Sequence, residues 1–238
     1  MSLILPSHTF SRRQLLQWSG LSIAGSLLSG CGSNLFSEQI GQTFEPLNQS
    51  IEALMLSQKP VPEFPVSAIE ADQLLINTFD HTPQIDPAQF RLIINGEVNY
   101  PMQLSMTEIQ QLPLTSMVIR HVCVEGWAAI VQWGGVRLQE LAKLVQPKPS
   151  ASYVYFKSAD FYYESWDIAS ALHPQTLMAY QKNGQPLSVD HGAPLRLASP
   201  IKLGYKQSKW VTQITFLRDL PKDSGYWETQ GYEWFAGL

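Results

Sequence analysis

The chain has 238 residues, with 16 Lys+Arg against 20 Asp+Glu, a formal net charge of −4, 45% hydrophobic and 11% aromatic residues, and two cysteines. An acidic chain without a basic run argues against nucleic acid as a partner, and this apolar content argues against disorder. The length suffices for one domain with a substantial core, and the sequence shows no internal repeat or low-complexity tract.

The first segment reads as a targeting signal. Ser11-Arg12-Arg13-Gln14-Leu15-Leu16 is a twin-arginine pattern, an uncharged run follows from Leu21 to Leu28, and Leu28-Ser29-Gly30-Cys31 has the form of a lipoprotein cleavage box. Residues 1–30 are therefore expected to leave, and Cys31 to carry a lipid at the mature N-terminus. The apolar run is too short for a membrane-spanning helix. The expected location is the periplasmic or cell-surface side of a bacterial membrane, held by the N-terminal lipid alone. Without Arg12 and Arg13 the 16 cationic side chains become 14 against 20 acidic ones, a net −6.

Residues 31–70 read as a tether. Lys59-Pro60-Val61-Pro62-Glu63-Phe64-Pro65 places three prolines in six positions, which suits an extended spacer and excludes a helix or a central strand. The working domain is expected over 71–238. Within it, Phe90–Ile94, Tyr153–Phe156 and Trp210–Leu217 have strand composition, and Leu195–Pro200 is a short apolar run with Arg196 inside it. Ser105-x-x-Glu108 is a capping box that opens a helix ending before Pro113. Leu138, Leu141, Leu144 and Val145 form a helical stripe ended by Pro147, and Asp167–Leu172 reads as a brief helix before Pro174. Strands dominate and helices do not alternate with them, so the fold class is α+β: mixed, strand-dominated, a single domain.

The chemistry gathers at Cys123, in "RHVCVEGWAAIVQWGG" (Arg120–Gly135). With Cys31 lipidated, Cys123 has no intramolecular partner, and an odd cysteine in an exported protein needs a reason. The residues leave three open: a buried small hydrophobe, a nucleophile, or a thiolate ligand. Twin-arginine export carries folded proteins, which fits a cofactor loaded before export. The sequence contains no zinc-type ligand pairing, no GxSxG elbow, no dinucleotide or phosphate-loop glycine pattern, no CxxCH and no iron–sulfur cysteine set. A soft metal on one thiolate, its other ligands coming from an organic cofactor, is compatible with all of this. Trp127 and Trp133 read as packing.

"CVEGWAAIVQWGGVRLQEL" resembles the cysteine segment of the sulfite oxidase-type molybdopterin domain. Within that family it is most like the exported bacterial branch that includes the methionine sulfoxide reductase catalytic subunit. "GAPLRLASPIKLGYKQSKWVTQI" (Gly192–Ile214) resembles the family's phosphate-wrapping segment. "INTFDHTPQIDPAQFRLIINGEV" and "GYWETQGYEWFAGL" are further likenesses, so the matches span about 74–238.

The resemblance implies the sulfite oxidase molybdopterin-domain fold and a molybdenum–molybdopterin (Mo-MPT) cofactor. It makes Cys123 the molybdenum ligand and catalytic centre. Asn77, Asp80 and His81 would line the pterin side. Ser158 stands where threonine is usual, and His191 where the methionine sulfoxide reductases have asparagine. Arg196 would meet the terminal phosphate, with Gln207, Ser208 and Lys209 as further donors.

The implied activity is two-electron oxygen-atom transfer on a small S- or N-oxide, with electrons exchanged with a separate haem- or quinone-linked redox protein. A non-enzymatic lipid-anchored binding protein on the same scaffold, a sulfite-oxidising dehydrogenase and a thiol-based redox enzyme are the alternatives. The Arg-Asn-His stretch of true sulfite oxidases is missing from the Asn77 loop.

Overall fold

The computed structural model describes residues 58–238 together with Ile51 and Leu56. The expected signal, the lipidation site at Cys31 and the whole first half of the tether lie outside the described residues. Two sheets, one mixed and one antiparallel, organise the domain. The first has the order β2-β1-β10-β5-β6, built from β1 (Arg91–Gly96), β2 (Met102–Ser105), β5 (Tyr153–Ser158), β6 (Tyr163–Asp167) and β10 (Val211–Leu217). The second has the order β3-β4-β7-β8, built from β3 (Leu114–Val122), β4 (Ala128–Arg137), β7 (Leu177–Lys182) and β8 (Gln185–Pro186), with β9 (Arg196–Ala198) paired to β7. β1 and β10 run parallel, and the other pairings are antiparallel.

The expected α+β class and each strand segment read from the sequence are present. Leu92, Ile94, Val154, Phe156, Ile214 and Phe216 of the first sheet share one core cluster with Val136, Met178 and Leu197 of the second, which holds Met117, Ile119, Val131 and Trp133 in another.

Three short helices close the ends of strands. In α1 (Met106–Gln110) the Ser105 hydroxyl accepts from the Glu108 N–H while the Glu108 carboxylate accepts from the Ser105 N–H, the reciprocal cap its sequence predicts. α2 (Leu138–Val145) buries Leu138, Leu141, Ala142 and Val145 and ends at Gln146 in the left-handed region. α3 (Ile168–Ala171) is capped by the Asp167 carboxylate, which accepts from the Ser170 N–H.

The proline-rich segment is extended but docked. Phe64 N–H donates to the Val118 carbonyl at 2.9 Å and Val118 N–H to the Glu63 carboxylate at 3.2 Å. Val61 and the Gln175 side-chain amide exchange a pair of bonds, and the Arg120 guanidinium lies 5.1 Å from the Phe64 ring centre. β3 is a sheet edge, and a strand edge leaves N–H and C=O groups unpaired, which this segment covers. Among the described residues no helix is long and apolar enough to cross a membrane.

Candidate functional site

Cys123 sits in the turn between β3 and β4, the most extensively paired hairpin of the second sheet. Its N–H donates to the Trp127 carbonyl at 2.8 Å and its carbonyl accepts from Gly126 N–H at 3.1 Å. Gly126 takes φ +91°, which an L side chain resists, so this glycine shapes the turn. The thiol is half-buried, and burial pushes its pKa up, so a free Cys123 is protonated and a poor nucleophile at neutral pH. Coordination to a metal would remove that proton, which favours a ligand over a free redox thiol. The Glu125 carboxylate lies 3.5 Å from Sγ and accepts from Trp127 Nε1 at 3.0 Å and Asn77 Nδ2 at 3.2 Å. Those bonds, Trp127's first, hold Glu125 below the usual carboxylate range.

A cavity of about 300 Å³ opens over this turn. His121, two residues before Cys123 and on the same strand face, lines it, as do Arg196, Gln207, Ser208, Lys209 and Gly204. Gly204 permits the close approach: a Cβ there would stand 2.9 Å from His121 Nε2 and 3.6 Å from Cys123 Cα. His121 is buried, and burial, reinforced by the Arg196 charge, pushes its pKa down to about 3, so the imidazole is neutral.

Arg196 dominates the electrostatics. Its guanidinium is buried, stacked 4.5 Å from the Trp133 ring centre, and donates only to carbonyls: Nη1 to His191 at 3.0 Å, Nη2 to Gln207 at 3.4 Å and Nε to Leu197 at 3.3 Å. Among the described residues no carboxylate lies within ion-pair reach of it. Burial alone pushes its pKa down to about 9.

Lys209 donates to the carbonyls of Asn77 and Asp190, and burial, then the Arg196 charge, lowers it to about 8. Lys182 Nζ lies 3.0 Å from His191 Nε2, and His191 is pushed down to about 4 by burial and then by Lys182 and Arg196. Three cations around one neutral imidazole form a site prepared for an anion. On the same wall the buried hydroxyl of Ser208 and Nδ1 of His121 have no hydrogen-bond partner among the described residues.

Asn77, Cys123, His191, Arg196, Gln207, Ser208 and Lys209 of the expected set come together on the cavity wall. Ser158 does not line it, although its hydroxyl is buried and unpaired. Asp80 and His81 stay outside the wall, where they are exposed and bonded to each other at 2.7 Å. The Gln207 side chain is taken up by Ser199 and Lys202, with Nε2 donating to their carbonyls at 2.9 and 2.8 Å, so that amide braces a loop instead of facing a ligand.

Sequence reasoning misses Asp160, Tyr162, Tyr205, Trp227 and Tyr232, all on the wall, notes His121 beside Cys123 without a cofactor role, and reads Trp127 as packing. The two-residue step from Cys123 could have marked His121. Nothing local marks the others.

A half-buried thiol thus lies beside a cation-rich recess in which no carboxylate pairs with Arg196 among the described residues. The oxidoreductase molybdopterin binding domain family matches residues 79–227. Over 95% of this chain and 88% of the relative, the sequence is 37% identical to the "Putative protein-methionine-sulfoxide reductase subunit YedZ1" of Azospira oryzae. It is 28% identical to the protein-methionine-sulfoxide reductase catalytic subunit MsrP of Ralstonia nicotianae, over 93% of this chain and 73% of that one. The sulfane dehydrogenase SoxCD of Paracoccus pantotrophus shares the fold with a TM-score of 0.55 at 22% identity, over 58% of this chain and 40% of its own.

The chain belongs to the oxidoreductase molybdopterin binding domain family, and it is a molybdopterin-dependent oxidoreductase. The donor set fits the cofactor that the family implies: one thiol for the metal, and an unpaired buried guanidinium with an orphan hydroxyl for a phosphate.

Proposed function

We propose that this enzyme reduces the S-oxide of methionine side chains. The S-oxide would lose its oxygen as water, with two electrons and two protons consumed. The observation that carries the reading is the single cavity holding both Cys123 and the carboxylate-free Arg196. The names of similar relatives supply the substrate, since two of them are called protein-methionine-sulfoxide reductase subunits.

Molybdenum–molybdopterin, when bound, supplies the centre for oxygen exchange and electron storage. The chain's residues do the rest. Cys123 holds the metal as a thiolate. Arg196 and Lys209 neutralise the terminal phosphate, and Ser208 offers it a hydroxyl. His121, neutral, contributes a hydrogen bond without adding charge. Asn77 ties the Glu125 carboxylate to the wall and keeps the approach to Cys123 polar. Gln207 contributes through its backbone, and His191 lines the recess as a neutral imidazole. Asp80 and His81 have no part in this arrangement, because they stand outside the cavity.

With no CxxCH and no cluster of cysteines in the sequence, the electrons come from a separate redox protein. The same reading includes twin-arginine export and a lipid at Cys31.

Protein expressed with its own leader in a pterin-synthesising host should carry near-stoichiometric molybdenum and reduce methionine sulfoxide with a reduced viologen as electron donor. Cys123→Ser should lose metal and turnover while its unfolding curve stays close to wild type. Turnover retained in that variant would sink the role given to the thiol. Cys31→Ala should move the protein from the membrane fraction to the soluble one, and a wild-type protein already soluble would remove the anchor from the proposal.

A further inference from the structure

The cavity wall has a second part that the cofactor-binding residues do not use. Phe79, Tyr205, Trp227 and Tyr232 line it. They belong to one run of ring contacts: Tyr205 to Tyr232 at 5.6 Å, Trp227 to Tyr232 at 5.1 Å, and Phe79 to Tyr226 at 4.3 Å between centroids. Arg196 and Lys209 stack elsewhere, on Trp133 and Trp210, so these four faces carry no cation from the anion site. Phe79 is 39% exposed and Tyr232 40% exposed, unusual for large rings at a cavity mouth unless something apolar covers them.

Two of the four rings come from the C-terminal strap, residues 225–238, and the family match ends at Trp227. The strap is held rigidly. The turn Glu228–Gln230 ends at Gly231, whose φ of +89° lets Tyr232 fold back and donate its N–H to the Trp227 carbonyl at 3.1 Å. Lys206 Nζ, fully buried, pairs with both Glu228 and Glu164. Further along, Trp234 Nε1 donates to Ser165 Oγ at 2.9 Å, and Leu203 N–H to the Ala236 carbonyl at 3.0 Å. The wall is therefore preformed, which lowers the ordering cost of binding a ligand against it.

We infer that the strap is a specificity element: Trp227 and Tyr232, with Phe79 and Tyr205, form an aromatic subsite that takes the apolar arm of an organic S-oxide. This rests on the S-oxide reading above. A sulfoxide has one polar oxygen and two carbon arms. Carbon and polarisable sulfur pack well on ring faces, whereas an inorganic oxyanion such as sulfite has nothing to place there. The subsite thus separates substrates by the size of the carbon arm.

The test compares methyl phenyl sulfoxide with dimethyl sulfoxide on the molybdenum-loaded enzyme. Tyr232→Ala should lower kcat/KM for the aryl substrate about tenfold relative to that for the small one, mainly through KM. Tyr232→Phe, which keeps the ring, should restore most of the ratio. The unreactive methyl phenyl sulfone, titrated by calorimetry into the same loaded proteins, should show a matching tenfold loss of affinity in Tyr232→Ala at unchanged molybdenum content. An unchanged ratio, or a Phe variant as impaired as Ala, overturns the subsite. A wild-type enzyme that binds the sulfone through Tyr232 but reduces no S-oxide would overturn the reaction and leave the subsite standing.

Discussion

Lys202, Lys206 and Arg196 are buried cations among the described residues, and the last two are compensated in opposite ways. Lys206 is fully buried and bonded to two carboxylates, Glu164 and Glu228. Arg196 is 5% exposed and bonded to three carbonyls and no carboxylate. Desolvating a charge costs several kcal/mol unless a partner offsets it. Around Lys206 the chain brings its own counter-ions from β6 and the C-terminal strap. Around Arg196 it brings more positive charge instead, in Lys182 and Lys209. The fold thus compensates one buried cation with two carboxylates and the other with carbonyls alone, the contrast on which the proposed anion site rests. Lys206 ties the strap to β6, and Arg196 is the cation that the proposed function assigns to the cofactor.

The strongest way to break the comparison is to replace each cation by an apolar side chain of similar length. Lys206→Met leaves two buried carboxylates facing each other, and should lower the unfolding free energy by about 3–5 kcal/mol in urea titrations of the cofactor-free chain. Arg196→Met removes an uncompensated charge from its stack on Trp133. The cofactor-free chain should then lose no more than about 1 kcal/mol, or gain stability, while the molybdenum content of the loaded protein falls steeply. If Arg196→Met destabilised the cofactor-free chain as much as Lys206→Met, the guanidinium would be structural, and the anion site would lose its main support.

The parts of the site that were legible in the sequence are those that depend on neighbours along the chain. Cys123 stood out as an odd cysteine among glycines and tryptophans. Arg196 stood out as a charge inside an apolar run, and Ser105 with Glu108 was readable as a cap because the cap closes within three residues. The hairpin of β3 and β4 was not assigned: Met117, Val118 and Ile119 are buried in succession, which hides the two-residue alternation. Val118 lost its exposure to the docked segment around Phe64, a contact across some fifty residues that no local pattern records. The aromatic wall was hidden for the same reason, since Trp227 and Tyr232 meet Tyr205 and Phe79 only through the fold. Asp80 and His81 show the reverse: an adjacent pair singled out by residue type, which the loop leaves facing solvent.

The smallest effect expected is also the most specific to the anion site, and it appears as a pH dependence. His191 is about 4 in the folded chain, against 6.5 for an ordinary imidazole, chiefly through burial and then through Lys182 and Arg196. Between those two values the unfolded chain binds a proton that the folded chain refuses. Stability from this group therefore rises with pH across that window and is lost as pH falls through it. Glu164 slopes the other way: burial pushes its carboxyl well above the usual range, so its contribution falls as pH rises above about 4.5. The difference between wild type and His191→Asn in urea titrations from pH 4 to 7 isolates the imidazole from that opposing slope. The variant should gain relative to wild type as pH falls from 6.5 toward 4, and the gain should shrink once the cofactor is bound, because a phosphate beside Arg196 and Lys182 relieves the repulsion that depresses His191. A gain of the same size with and without cofactor would mean that the anion sits elsewhere, and that His191 is depressed by burial alone.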